Sequence, residues 1–288
     1  MSDTRKAPES IYSFFRPIPL LACLVYFLTC RAGLAQDQAV PLPGRVATLA
    51  FFLDSVDTVE PQAILFSNIF TYRRAPDGKE LDIPAVAVAY GLNRRVQVDF
   101  SVPYFHSDYG PDFRLSGIGD RFVSTKIRVL DPDSHKIGLA FDPTLEILGK
   151  SSLAAGPQGP KKYNFVLPII LQKNFSYFNL YAETGYITRG ALFACVGADG
   201  ALVKRLGLAV NILYSRSTKF TEVSQEFGLL KSRVDAVVGI YYIVNPHFSL
   251  FTSGGRTISA IDQNGTQYIV NFGINLSFKL RSLIMRDK

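Results

Sequence analysis

The sequence predicts an all-β chain closed into a transmembrane antiparallel up-and-down β-barrel of about twelve strands. Three observations predict it. Apolar and polar residues alternate with a period of two over segments close to the roughly ten residues that a tilted strand needs to cross a bilayer. Short and long connections alternate between these segments. The apolar face is bulky and aromatic, whereas the opposite face is rich in Gly, Ala, Ser and Asn.

The N-terminal residues set the compartment. Arg5, Lys6 and Arg16 precede an apolar run from Leu20 to Thr29, and the small residues Ala32-Gly33-Leu34-Ala35 follow it. This order predicts a secretory signal peptide over residues 1–35, cleaved before Gln36. The run is too short to span a bilayer as a helix. Leu20-Leu21-Ala22-Cys23 has the form of a lipoprotein cleavage box, but it opens the apolar run where such a box should close it. Cleavage after Ala35 removes Cys23 and Cys30, so Cys195 alone remains and no intramolecular disulfide forms. Residues 36–62 alternate poorly and are interrupted by Pro41, Pro43 and Pro61, which predicts a periplasmic lead-in or a segment tucked into the lumen.

Strict alternation begins beyond residue 60. In Val96–Val102 each even position is apolar and each odd one polar. Ile137, Leu139, Phe141, Leu145 and Ile147 share one face of the next clear segment. Tyr268, Val270, Phe272, Ile274, Leu276 and Phe278 share one face of the last, opposite Asn271, Gly273, Asn275 and Ser277. Weaker versions predict strands at Ala63–Arg73, Ile83–Tyr90, Ile118–Leu130, Tyr163–Leu171, Tyr177–Ile187, Leu192–Val203, Leu206–Tyr214, Val234–Ile243 and Phe248–Gly254. The barrel so defined covers residues 63–279, with a short periplasmic tail at 280–288.

The connections carry an independent signal. Gly91–Arg94, Asp131–Lys136, Gln172–Ser176, Lys204-Arg205 and Val244–Pro246 are short. Arg74–Asp82, Phe105–Gly117, Gly149–Lys162, Ser215–Arg233 and Arg256–Thr266 are longer. The alternation fails only at Thr188–Ala191, where a long link is due and a short one stands. Outer-membrane barrels pair short periplasmic turns with longer outer loops. A soluble sandwich has no reason to alternate in this way, although an exported soluble β-protein remains the simplest competing class.

Composition removes other classes. Charged residues make up 19% of the chain and no run reaches the roughly eighteen apolar residues of a spanning helix, which excludes a helical membrane protein. With 22 Phe and 14 Tyr the chain collapses and is not disordered. The net charge of +7 comes from scattered pairs such as Arg73-Arg74, Arg94-Arg95, Lys161-Lys162 and Lys204-Arg205, not from a basic stripe, so no nucleic-acid partner is expected.

Two stretches resemble a known family. Ala89-Tyr90-Gly91-Leu92-Asn93-Arg94-Arg95-Val96, running to Val102-Pro103-Tyr104, resembles the hairpin of the outer-membrane family labelled meta-pathway of phenol degradation. Ser116-Gly117-Ile118-Gly119-Asp120, followed by Lys126-Ile127-Arg128-Val129-Leu130, resembles that family's second signature. The close match covers about 45 residues. The resemblance implies a barrel-type transporter or channel, sometimes encoded beside aromatic-degradation pathways, and it implies membrane location more securely than it implies phenol. In the last strand, Asn271, Gly273, Leu276 and Phe278 resemble the pattern read by the outer-membrane insertion machinery, with residues 279–288 following it.

The polar face carries Asp99, Asp120, Lys126, Arg128, Asp142, Glu146, Glu183, Asp199 and Asp235, which in a barrel project into the lumen within reach of one another. They form either a polar constriction that selects small solutes or a salt-bridged plug that holds a narrow barrel closed. Asp120, after Gly117-Ile118-Gly119, is expected to start a strand tightly and to pair with Lys126 or Arg128. An acyl-processing enzyme is not expected. His106-Ser107-Asp108 is contiguous, and chain neighbours rarely reach the geometry of a base and a nucleophile. His135 and His247 sit in predicted short turns. Gly149-Lys150-Ser151 lacks the first glycine of a phosphate loop, its place being taken by Thr144, and Gly117-Ile118-Gly119 lacks the rest of a dinucleotide fingerprint. No Cys or His pair has ligand spacing, so neither metal nor cofactor is expected. Cys195 reads as a buried small side chain.

These readings converge on an outer-membrane channel or transporter, its partners being outer-membrane lipid, the barrel insertion machinery and a solute; that the solutes are small and partly hydrophobic is what the family resemblance alone implies. The alternative is a structural or adhesive barrel that acts through its outer loops.

Overall fold

The computed structural model describes residues 54–75, 78–110, 114–149, 163–188, 190–218, 232–259 and 266–280. The expected leader at 1–35, the first part of the 36–62 segment, nearly all of the 280–288 tail and most of the long links at 149–162, 215–233 and 256–266 lie outside the described residues.

Among the described residues fourteen strand segments follow one another: β1 Ala63–Arg74, β2 Lys79–Gly91, β3 Val96–Asp108, β4 Arg114–Ile118, β5 Arg121–Leu130, β6 Gly138–Phe141, β7 Thr144–Ile147, β8 Tyr163–Asn174, β9 Phe178–Ile187, β10 Ala191–Val203, β11 Leu206–Ser217, β12 Ser232–Asn245, β13 Phe248–Ser259 and β14 Tyr268–Lys279. A one-turn helix, α1 at Pro132–His135, sits between β5 and β6, its N-terminus capped by the Asp131 carboxylate accepting from Asp133 N. The segments β4 and β5 pair with successive stretches of β3, and β6 and β7 both bridge β5 and β8. Each of these two sets is one wall strand with a break. The wall therefore has twelve antiparallel strands, and β1 pairs with β14 from Ala63↔Lys279 to Arg74↔Tyr268 to close the ring.

The breaks correct the two unbroken strands expected at Ile118–Leu130 and Ile137–Ile147. At Asp142-Pro143 the proline has no N–H to give to the ladder. At Gly119-Asp120 the chain from β7 crosses so closely that a Cβ on Gly149 would lie 2.3 Å from the Gly119 backbone. Only glycine allows that approach.

The wall also extends further toward the long links than the alternation predicts. β2 begins at Lys79 inside the expected Arg74–Asp82 link, while the end of β3 and all but the last residue of β4 occupy the expected Phe105–Gly117 link. These rungs are held by ladder pairs such as Lys79↔Asp108 and by ions across them, with Lys79 Nζ 3.3 Å and Arg114 Nε 3.5 Å from the Asp108 carboxylate. On these rungs the outward positions Lys79, His106 and Asp108 are polar, while Phe105 and Ser107 are buried on the inner face, so the apolar outer face that sets the period-two signal is missing.

Register fixes which face is which. Ser67, Gln97, Lys126, Asn211, Ser253, Asn271 and Asn275 point inward and are buried, whereas Phe165, Leu167, Val196, Val270 and Phe272 point outward and are exposed. A twelve-residue strand tilted at about 45° spans about 29 Å, close to the thickness of a bilayer core. The large exposed apolar belt is the surface such a barrel presents to lipid. Val196, 55% exposed near the middle of β10, tests this orientation. Val196→Arg is expected to cost about 2–4 kcal/mol of barrel stability in lipid. Cys195→Ser, one residue away on the lumenal face, should cost clearly less. Urea unfolding midpoints of the two variants in the same vesicles check it, and equal costs would reverse the assignment of faces.

Candidate functional site

Ahead of β1, residues 54–62 form a strap that runs from the short-turn end of the barrel into its lumen. Gln62 N donates to Gly91 O at 2.8 Å, Leu280 N donates to Gln62 O at 3.0 Å, and Lys279 Nζ lies 2.6 Å from the Glu60 carboxylate. The strap passes Gly91 so closely that a Cβ there would meet Glu60 O at 2.2 Å. It then turns inward. An extended chain with no neighbouring strand must still satisfy its N–H groups, and lumenal side chains accept them. Val59 N donates to Gln97 Oε1 at 2.7 Å, Val56 N to Gln172 Oε1 at 3.0 Å, and Asp54 N to Glu183 Oε2 at 3.1 Å. Since Gln97 belongs to β3, Gln172 to β8 and Glu183 to β9, the strap bridges separate parts of the wall. Val56, fully buried, packs with Ala140 and Ile170.

At the deep end of the strap lies an ion cluster. Lys126 Nζ is 2.5 Å from Asp54 Oδ1, the two side chains being 4% and 6% exposed. Asp99 stands on the neighbouring strand and accepts from Gln97 Nε2 at 2.6 Å and from Ser124 Oγ at 3.5 Å. Asp142 and Glu183 both lie within electrostatic reach of Lys126 and Asp54. One ammonium is thus surrounded by four carboxylates.

The remaining candidates read from the sequence are distributed along the wall. Glu146 accepts from Asn164 Nδ2 at 2.6 Å. Asp199 accepts from Asn179 Nδ2 at 3.3 Å, from Tyr241 Oη at 3.2 Å and from Tyr181 Oη. Asp235 accepts from Thr257 Oγ1 at 2.6 Å and lies 2.7 Å from Arg233 Nε. Arg128 donates to Arg94 O and approaches Asp131 at 3.9 Å at the short-turn end. The pairing expected for Asp120 is corrected: it accepts from Gly149 N at 2.6 Å and pins the break in the wall, while Lys126 turns to Asp54. Asp54, Gln97 and Gln172 escaped the sequence reading. Gln97 is visible in the sequence as a polar residue on the inner face of Val96–Val102, whereas Gln172 falls in the expected Gln172–Ser176 turn and lies instead on β8, which runs on to Asn174. Asp54 lies in a stretch without periodicity and gave no signal.

In the last strand Asn271 and Gly273 face the lumen, and Leu276 and Phe278 the outside. Asn271 Nδ2 donates to Ser253 Oγ at 2.9 Å, and the Phe251 ring covers Gly273, where a Cβ would sit 2.1 Å from it. His106 and Asp108 project from one face of β3 and Ser107 from the other, because successive strand residues alternate. That arrangement separates the hydroxyl from both partners. His135 ends α1, and His247 lies in the β12–β13 turn.

No family model matches this chain, and no curated protein does. Solved structures do. An outer-membrane channel from Pseudomonas putida F1 superposes with a TM-score of 0.57 at 12% identity, covering 78% of this chain and 98% of that one. The NanC porin superposes with a TM-score of 0.51 at 8% identity, covering 73% of this chain and 98% of that one. At such identities the likeness is one of fold, and the fold is that of outer-membrane β-barrels.

Proposed function

We propose that the chain is an outer-membrane channel that passes small, partly hydrophobic solutes through a narrow polar lumen. The observation that carries this reading is a closed wall with its polar side chains turned inward and its apolar ones turned to lipid. Such a wall separates an aqueous path from the bilayer. Twelve strands fall between the eight that leave an interior filled by side chains and the sixteen that leave a wide channel. The strap narrows the bore further at the short-turn end. Preference for aromatic solutes rests on the resemblance of residues 89–104 and 116–130 to the phenol-degradation family. In this reading the short turns face the periplasm, a cleaved leader exports the chain, and the insertion machinery reads Asn271, Gly273, Leu276 and Phe278.

Purified barrel reconstituted into planar bilayers is expected to give discrete, small conductance steps, and the same protein in liposomes to admit small aromatic solutes. Absence of current together with uptake no greater than that of empty liposomes would overturn the channel reading. The adhesive alternative depends on loops at 149–162 and 215–233, most of which lie outside the described residues.

A further inference from the structure

We infer that this lumen selects small organic cations: an ammonium carried on an apolar body passes in preference to a carboxylate of the same size. The inference rests on the channel reading and names the solute class for it.

The first ground is charge. The chain as a whole is basic, with a net charge of +7, yet mid-lumen the balance is reversed. Asp99, Asp142 and Glu183 surround Lys126, whose ammonium is committed at 2.5 Å to a further carboxylate, Asp54. The hydrogen bonds to Asp99 and Glu183 come from neutral donors: Gln97 Nε2 and Ser124 Oγ for the first, the Asp54 N–H for the second. Neutral donors orient a carboxylate without cancelling its charge. A low-dielectric wall focuses the resulting field along the bore, where it raises the concentration of counter-ions. Rings of Asp and Glu select cations in this way.

The second ground is independent of the carboxylates. The amide oxygens of Asn211 and Asn275 are buried with no donor, and each residue is only 4% exposed. Both face the lumen, Asn211 opposite Gly197 and Asn275 opposite Ser67. Asn211 lies two strands along the wall from β9, level with Tyr181 and two residues from the level of Glu183, which places it about 12 Å from that carboxylate's strand position. An amide oxygen only accepts, and an ammonium only donates. A carboxylate solute offers these oxygens nothing.

The third ground concerns the body of the solute. Across the lumen Ile69 and Phe251 form an apolar cluster with Ala85 and Tyr241 packed against it. Ile69 and Phe251 are themselves buried, so the part of this cluster open to the lumen is Ala85 and the Tyr241 ring, and an aromatic ring attracts cations over its face.

Benzylammonium and benzoate are matched probes: one ring each, opposite charges. The purified full chain is inserted into planar bilayers at neutral pH, and reversal potentials are read in gradients of benzylammonium chloride and of potassium benzoate. Benzylammonium is expected to be favoured over benzoate by about tenfold. In the double variant Asp99→Asn/Glu183→Gln the ratio should fall close to one. Benzoate permeating as well as or better than benzylammonium in the unaltered protein would overturn the inference and leave the channel reading standing. A ratio unmoved in the double variant, with the barrel still shifting on heating in SDS gels, would overturn the assignment to these carboxylates. Should that variant not assemble, Asp142→Asn takes its place, with the same expected fall in the ratio. Silence in every salt would remove both the inference and the reading it rests on.

Discussion

Lys126→Met is expected to be the most damaging single substitution in the lumen, costing about 3–5 kcal/mol. The figure follows from what remains after the ammonium is gone. Asp54 is then a buried carboxylate without its ion-pair partner, and Asp99, Asp142 and Glu183 lose the one cation that all of them feel. Breaking a buried pair from one side leaves its desolvation cost uncompensated. Asp54→Asn should cost much less, because Lys126 keeps the other three carboxylates around it. Urea unfolding midpoints in vesicles, with the fraction of protein that resists SDS until heated, measure both. Equal costs for the two variants would show that Lys126 answers to Asp54 alone and that the cluster does not act as a unit.

The asymmetry between these two substitutions shows where the sequence can be read and where it cannot. The alternation over Tyr268–Phe278 defines β14 to within a residue and its lumenal face in full, because lipid on one side and water on the other impose a period of two. The same rule places Asp99, Lys126, Glu183, Asp199 and Asp235 inside. It fails where the outward positions of a strand are polar, as at Lys79 on β2 and at His106 and Asp108 on β3. It fails again where a wall strand is broken at Gly119-Asp120 or Asp142-Pro143, since an outward apolar pattern resumes beyond the break. Partner choice is less legible still. Lys126 and Asp54 are 72 residues apart, and no local pattern couples a residue in a non-periodic lead-in to one on a strand. The break at Asp120 has the same origin: its acceptor role toward Gly149 arises from a crossing that only the folded wall creates.

Removing the strap is expected to open the bore without unmaking the barrel. A chain that starts at Glu60 directly after a leader keeps every strand pairing, since the ladder begins at Ala63 and closes on β14. It loses the backbone bonds from Val59 to Gln97, from Val56 to Gln172 and from Asp54 to Glu183, which draw the strap across the lumen. It also loses Val56 from its place between Ala140 and Ile170. The conductance step of the truncated barrel should therefore rise several-fold, with the heat-dependent gel shift retained because the closed network of wall hydrogen bonds is intact. An unchanged step would place the strap beside the path and not across it. Should the truncated chain fail to assemble, Gln97→Ala/Gln172→Ala decides the matter within the full-length protein. Those two amides contribute nothing to the backbone ladder. Their loss leaves two strap N–H groups unsatisfied, at about 1–3 kcal/mol each, and a strap held so weakly would leave the lumen part of the time. The conductance of this variant should then alternate between the narrow level and the wide one.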